Sequence, residues 1–452
     1  MGKMFGTDGV RGIANSELTP LTAYKIGRAT AALLYKEKAH KPVILVGMDT
    51  RISGPMLNAA LSAGICSAGG DIIDLGIIPT PAVAYLVRDM KADAGIVISA
   101  SHNPVEYNGI KIFNAKGFKL RDELENEIEN IVLTDSDILP SPTGHLVGSI
   151  SVKKDAVECY ANYIAGIFRS LNLSNIKIAL DCAEGATFAA APMIFEKLGA
   201  KVNIIHNSPT GLNINDNCGS THLGELGNFV RENNFDIGIA FDGDGDRCLI
   251  VNEKGEPVDG DEIMSICACH MKANSKLNSN TLVATVMSNL GLFIMGDEND
   301  INIEKTAVGD RYVLEKMLEV NASIGGEQSG HVIFLEHNTT GDGILTALNV
   351  LNIMAQEGKS IIELNTRMRV MPQTLVGAKV DNSKKNNFNT VPEIQSAIEE
   401  LEKMFAGRGR VLIRASGTEP LVRVMIEGED IDQLENEANK MKALIEKHLG
   451  SN

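Results

Sequence analysis

Two observations on this 452-residue chain point to an α/β architecture of several domains. Short apolar strands alternate with helical patterns, which argues for βαβ units and parallel sheets. In three successive segments a polar loop follows the end of such a strand, where open α/β sheets bind ligands. Length alone suggests about three or four domains. The tail changes pattern and reads as a small separate α+β domain.

Thr19 before Pro20 is an N-cap signal with proline at the first helical position, opening a helix to about Lys38. Pro42 to Val46 is a short apolar strand ending at Gly47-Met48-Asp49, followed by a helix from about Pro55 to Ser67. Ala94 to Ile98 is the next strand and leads into Ser99-Ala100-Ser101-His102-Asn103-Pro104. Asp122 to Glu129 is strongly acidic, with Leu124, Ile128 and Ile131 on one apolar side, and reads as a helix with a solvated acidic face. The strand theme recurs over Ile176 to Leu180, ending at Asp181, then a helix over about Phe188 to Leu198 and a strand over Ile237 to Phe241. A third round runs from Leu282 to Val286, ending at Met287-Ser288-Asn289, and from Ala322 to Ile324, ending at Gly325-Gly326-Glu327-Gln328-Ser329-Gly330-His331. In the tail, Ile394, Ile398, Leu401 and Phe405 fall at helical spacing. Strands over Val411 to Ile413 and Leu421 to Met425 flank a polar loop, and Ile431, Leu434, Ala438, Met441 and Ile445 mark a last amphipathic helix.

Composition removes several function classes. The net charge of −16 makes nucleic acid and acidic membranes poor partners, so an anionic small substrate would need a local basic cleft. Trp is absent and aromatics are 4%, against a stacking platform for single strands. No apolar run is long enough to span a membrane, and the N-terminus lacks the apolar block of a signal peptide, so the expected location is cytoplasmic. Seven cysteines are scattered without framework spacing; the one cluster, Cys267-Ala268-Cys269-His270, reads as buried thiols on a helix.

Asp242, Asp244 and Asp246 alternate with glycines that let the backbone fold tightly, so their carboxylates converge as hard oxygen ligands suited to Mg²⁺. An EF-hand loop is a near miss, because Arg247 stands where the sharp turn wants Gly; a metal-free surface turn is the other alternative. Ser101 is followed within ten residues by His102, Asn103, Asn108 and Lys111, and a serine beside a metal can carry a phosphoryl group. Lys111 could shuttle a proton if burial lowers its pKa. Arg414-Ala415-Ser416-Gly417-Thr418-Glu419-Pro420 with Arg423 offers guanidinium, hydroxyl and backbone N–H groups to a phosphate, against a plain hairpin turn. Glu327 and Ser329, between glycines, suit sugar hydroxyls, against a plain tight loop.

The chain resembles the α-D-phosphohexomutases. The resemblance is carried in the family's order by Phe5 to Gly12, Ser99 to Pro104, Asn108 to Lys111, Asp242 to Arg247, Gly325 to His331 and Ser416 to Pro420. It implies four domains around a central cleft, the first three related mixed-sheet α/β units: 1–150 with the phosphoserine, 151–253 with the metal, 254–366 for the sugar, and a smaller α+β domain, 367–452, for phosphate. It implies Ser101 as the phosphoserine, touching Mg²⁺ held by Asp242, Asp244 and Asp246. Arg247 and His102 would steady the transferred group, with Lys111 and Arg11 near the reacting oxygens. Glu327 and Ser329 would hold sugar hydroxyls, and Arg414, Ser416, Gly417, Thr418 and Arg423 the other phosphate. Gln328 and Val308-Gly309-Asp310-Arg311-Tyr312 resemble the phosphoglucosamine branch. The expected reaction is interconversion of glucosamine 6-phosphate and 1-phosphate through a sugar 1,6-bisphosphate, which also serves as activator. A phosphomannomutase or phosphoglucomutase is the alternative, and a monomer or homodimer is expected. Val105-Glu106-Tyr107 ahead of Asn108, and Ala415 where the family usually has Pro, depart from the common pattern.

Overall fold

The computed structural model describes residues 4–6, 8–134, 139–416 and 420–450, arranged on four sheets. The first sheet runs in the spatial order Phe5–Gly6, Gly9–Ile13, Tyr107–Asn114, Ala94–Ile98, Val43–Met48, Asp71–Ile77, Ile150–Val152. The second runs Pro257–Val258, Cys248–Val251, Ile237–Phe241, Ile178–Asp181, Val202–Ile205. The third runs Asn302–Thr306, Thr281–Thr285, Ile324–Gly326, Val332–Phe334. The fourth is a small antiparallel sheet of Gln373–Lys379, Leu421–Glu427 and Arg410–Ala415.

The alternation of strands and helices predicts parallel sheets, and the core of each of the first three sheets is parallel. Each core then gains an antiparallel strand: Tyr107–Asn114 beside Ala94–Ile98, Cys248–Val251 beside Ile237–Phe241, and Val332–Phe334 beside Ile324–Gly326. The three loops bearing Ser101, the aspartates and Glu327 are therefore tight reversals between a parallel strand and its antiparallel return. A short loop of this kind holds its residues far more firmly than a long crossover.

Local signals place most elements. Thr19 Oγ1 accepts from Thr22 N at 3.1 Å, Pro20 opens the helix Pro20–Lys38, and Ala39 closes it in the left-handed region. The strands Ala94–Ile98 and Ile237–Phe241 are buried at every residue, as continuous apolar runs between two helical layers should be. The strand expected at Ala322 to Ile324 lies instead at Ile324–Gly326. There Gly325 and Gly326 pair with Ile333 and Val332, and that pairing overrides glycine's weak strand preference.

The acidic helix Asp122–Thr134 keeps Asp122, Glu123 and Glu127 exposed, as a solvated acidic face predicts, and departs from it at two residues. Glu125 and Glu129 are buried. Glu125 Oε2 accepts from Arg311 at 2.7 Å, and Glu129 Oε2 from the backbone of Met4 at 2.8 Å and of Phe5 at 3.2 Å. Buried carboxylates need such partners, and these lie more than a hundred residues away in sequence.

The chain divides into two compact units, one reaching Met287 and resuming over Asp300–Arg367, the other comprising Ser288–Asn299 and the chain from Met368 onward. Within the second unit the helix Leu290–Glu298 is tied to the small sheet. Asn289 exchanges hydrogen bonds with the Met371 backbone at 2.9 and 3.0 Å, and Leu290 N donates to Glu427 Oε1 at 3.2 Å. The helices Pro392–Phe405 and Ile431–Leu449 pack Ile394, Leu401, Phe405, Leu434, Ala438, Met441 and Ile445 against that sheet. Ile431, counted on the apolar face by spacing, is the first residue of its helix and is exposed.

Candidate active site

Ser101 follows the buried strand Ala94–Ile98 and has φ +53°, a left-handed conformation that is uncommon for a residue with a side chain. Its backbone is clamped from several sides. Ser101 N donates to Ser99 Oγ at 2.9 Å, and Ser99 Oγ donates to Asp49 Oδ2 at 2.6 Å. The fully buried Arg51 pairs with Asp49 at 2.8 Å and donates to the carbonyls of Ser101 at 3.0 Å, Asn103 at 2.7 Å and Tyr107 at 3.0 Å. Asn215 adds donations to Ser101 O at 2.9 Å and Asn103 O at 3.2 Å. The side chain is left to point at the aspartates: Ser101 Oγ donates to Asp242 Oδ2 at 2.5 Å.

Asp242, Asp244 and Asp246 are all buried, with candidate ligand oxygens within 4.8 Å of one another. Gly243 permits the approach, since a Cβ there would lie 2.5 Å from Ser101 O, and Gly245 turns at φ +73°. Asp244 Oδ2 accepts from Thr80 at 2.6 Å and Lys111 at 2.8 Å, while Asp244 Oδ1 and Asp246 Oδ1 are buried without a hydrogen-bond partner. Burial and the neighbouring Asp246 and Asp244 push the Asp242 carboxyl well above the usual range. Asp244 stays below its ordinary value because Lys111 outweighs the burial that would raise it. Converging, partly orphaned hard oxygens at this cost in repulsion fit a divalent cation.

Basic groups surround the serine. Lys111 Nζ lies 2.8 Å from Asp244, 3.0 Å from Asp8 and 3.3 Å from Asp246. Burial would lower the Lys111 ammonium, but Asp244, Asp8 and Asp246 outweigh it and hold the group well above its ordinary value. That direction is the opposite of the lowering a proton shuttle would need, and it places a positive charge beside the serine. Arg11 pairs with Asp8 and donates to Asn103 Oδ1 at 3.0 Å. Arg247 N donates to Asp242 Oδ1 at 3.2 Å. The Nε atoms of Arg11 and Arg247 are buried without an acceptor. His102, with Nδ1 3.4 Å from Ser101 Oγ, is pushed down to about 3 by burial, Arg247 and Arg11, so it is neutral at pH 7.

Glu327 accepts from Gly309 N at 3.0 Å, and Ser329 Oγ has no hydrogen-bond partner. Gln328 turns away to donate to Asp259 Oδ2 at 2.9 Å, beside the N-terminus of the helix Gly260–Ala273. Behind these groups a charged chain joins the first and third sheets: Lys119 bridges Asp8 and Asp310, and Asp310 lies 3.6 Å from His331. Asp8 enters the sequence reading only within the stretch Phe5 to Gly12, and Thr80, Lys119, Arg51 and Asn215 do not stand out in the sequence. For Arg51 the local signal is Asp49-Thr50-Arg51, charged residues at the end of an apolar strand.

In the second unit Arg414 and Arg423 stand directly opposite each other on adjacent antiparallel strands. Like charges in that register repel, and burial together with Arg423 lowers the Arg414 pKa. Arg414 Nε lacks a hydrogen-bond partner, and Ser416 is buried beside the loop. An anion would relieve this arrangement. Gly417 and Thr418 lie outside the described residues.

Among the described residues no helix is long and apolar enough to cross a membrane. Family profiles described as phosphoglucomutase/phosphomannomutase match nearly the whole chain. The alpha/beta/alpha domains I, II and III match residues 2–138, 158–255 and 259–370, and the C-terminal domain matches residues 375–444. A phosphoglucosamine mutase of Ruminiclostridium cellulolyticum is 54% identical over 449 residues, covering 99% of this chain and 100% of its own. One from Acetivibrio thermocellus is 54% identical over 450 residues, covering 100% of both. Among solved structures, a phosphoglucomutase/phosphomannomutase family protein of Burkholderia thailandensis superposes with a TM-score of 0.81 at 22% identity, over 99% of this chain and 98% of that one. Aspergillus fumigatus N-acetylphosphoglucosamine mutase, in complex with GlcNAc-6P and magnesium, gives 0.71 at 17% identity, over 98% and 95%. With all four domains matched in order and full-length relatives at this identity, the chain belongs to the phosphoglucomutase/phosphomannomutase family of α-D-phosphohexomutases.

Proposed function

We propose that the chain is a phosphoglucosamine mutase, an isomerase that interconverts glucosamine 6-phosphate and glucosamine 1-phosphate. The observation that carries the mechanism is Ser101 Oγ, 2.5 Å from Asp242, in a buried triad with two orphaned carboxylate oxygens. Phosphorylated Ser101 gives its phosphoryl group to the free sugar hydroxyl, forming the sugar O–P bond as the Ser101 Oγ–P bond breaks, with the proton lost by the sugar hydroxyl balanced by the one that Ser101 Oγ takes up. The 1,6-bisphosphate turns over, and its other phosphate returns to Ser101. Mg²⁺ on Asp242, Asp244 and Asp246 supplies charge neutralisation when bound. Lys111, Arg11 and Arg247 neutralise and orient the transferred group, whose transition state demands little beyond positioning and charge. Neutral His102 adds a hydrogen bond near Oγ. Glu327 and Ser329 hold sugar hydroxyls, and the sugar bisphosphate serves as activator by reloading a dephosphorylated serine.

The sugar assignment is tested by steady-state turnover on glucosamine, glucose and mannose phosphates. The glucosamine pair should show the highest kcat/KM; a higher value for glucose or mannose phosphates would move the chain to another branch of the family.

Arg414, Ser416, Gly417, Thr418 and Arg423 are assigned to the phosphate that is not being transferred. The opposed arginines support this, because a phosphate there replaces repulsion with charge-assisted hydrogen bonds. Arg414→Ala should leave phosphate on Ser101 and raise KM about 10- to 150-fold, the loss of a charged contact of roughly 1.5–3 kcal/mol. It should also let the bisphosphate escape, so activity should depend more on added sugar 1,6-bisphosphate. Unchanged KM and activator requirement would remove the loop from the site.

A further inference from the structure

We propose that Asp181, His206 and Cys218 form a second metal site, for a borderline transition metal of the Zn²⁺ class, which pins the loop that clamps the Ser101 backbone.

The three residues come from three places on the second sheet. Asp181 ends the strand Ile178–Asp181, His206 follows the strand Val202–Ile205, and Cys218 opens the turn Gly219–Thr221. A carboxylate oxygen, an imidazole nitrogen and a thiol sulfur lie within 4.8 Å of one another, with Asp181 and Cys218 buried. His206 Nδ1 is 3.0 Å from Asp181 Oδ2, an ion-pair distance when the ring is protonated, and a metal ion would take the place of that proton between the two atoms. Asp181 is held for such a role from behind: Oδ1 accepts Ala183 N at 2.8 Å and Oδ2 accepts Gly219 N at 2.9 Å. Backbone donors of this kind orient a metal-binding carboxylate. His206 Nε2 faces Glu225 at 3.4 Å, which orients the ring from its other side.

The donor set differs from the catalytic triad. Three oxygens select a hard cation, whereas mixed O, N and S donors select Zn²⁺ or its congeners, with the fourth tetrahedral position open to water. The two sites can therefore hold different ions in one protein. The consequence for the reaction is positional. Between His206 and Cys218 the loop carries Asn215, the residue that holds the Ser101 and Asn103 carbonyls. A metal on His206 and Cys218 ties both ends of that loop to Asp181.

The probe is Co²⁺, added to chelator-treated full-length protein with Mg²⁺ in excess to occupy the oxygen site. One equivalent should bind with tetrahedral d–d absorption and a near-ultraviolet thiolate-to-cobalt charge-transfer band. The band should vanish in Cys218→Ser and persist in Cys182→Ser, a buried cysteine outside the cluster. His206→Gln should weaken Co²⁺ binding by at least about 10- to 100-fold, the scale on which even a partner behind a ligand is felt. If Cys218→Ser does not melt cooperatively, His206→Gln in folded form decides the matter by the same titration. Absence of the thiolate band in the wild type, its survival in Cys218→Ser, or unchanged affinity in His206→Gln overturns the site.

Discussion

Ser101→Ala should abolish turnover, by on the order of 10⁶-fold, the scale of losing the nucleophile of a covalent-intermediate enzyme. Intact mass should show one phosphate on the wild type and none on the variant. Added sugar 1,6-bisphosphate should not rescue it, because the variant lacks the hydroxyl that faces Asp242, and the Thr80 hydroxyl at the triad is committed to Asp244 at 2.6 Å. The fold should survive. Arg51 and Asn215 grip the carbonyl of Ser101, and Ser99 accepts from its N–H, so the loop is held through its backbone. The lost contact is one hydrogen bond to a carboxyl, worth roughly 1–2 kcal/mol, and Ala meets the same left-handed φ with the same Cβ. A cooperative melt near the wild-type midpoint separates lost chemistry from lost structure. Substantial mutase activity in this variant would remove Ser101 from the mechanism.

What the sequence makes legible here is what short-range chemistry determines. Thr19-Pro20 places a helix start, and unbroken apolar runs place Ala94–Ile98 and Ile237–Phe241. The Ser101, Asp242 and Glu327 motifs are legible because glycines and carboxylates cluster within a few residues. The antiparallel return strands are not, since their motif residues disguise them. Asn108 and Lys111 read as loop chemistry, yet Lys111 sits in a strand opposite Val97, and that strand carries its ammonium to the aspartates. Long-range partners are hidden for the same reason. Nothing near Glu125 announces Arg311, and nothing near Ser101 announces Asn215. The Lys111 pKa turns on the same point: burial can be guessed from one residue, but the three carboxylates that reverse its effect come from two distant segments.

Those carboxylates set the second large effect, the loss of the metal. In the structure Asp242 is already driven toward its neutral form by burial and by Asp246 and Asp244. Phosphorylation of Ser101 adds about 1.5–2 further negative charges at pH 7 beside the triad. Lys111 is shared among Asp244, Asp8 and Asp246, and Arg11 is paired with Asp8, so together with Arg247 these bases offset only part of that charge. Chelation should therefore reduce turnover by at least about 10²–10³-fold, the cost of losing a single preorganised charge-stabilising group, and Mg²⁺ should restore it. Asp246→Asn, which keeps shape and removes one charge, should raise the Mg²⁺ concentration needed for half-maximal activity while leaving the phosphate on Ser101 detectable by mass. That split distinguishes a ligand from a residue that merely shapes the loop, which would lower activity at every Mg²⁺ concentration alike. Full turnover after rigorous metal removal would leave the orphaned oxygens of Asp244 and Asp246 without a purpose and would overturn the metal assignment.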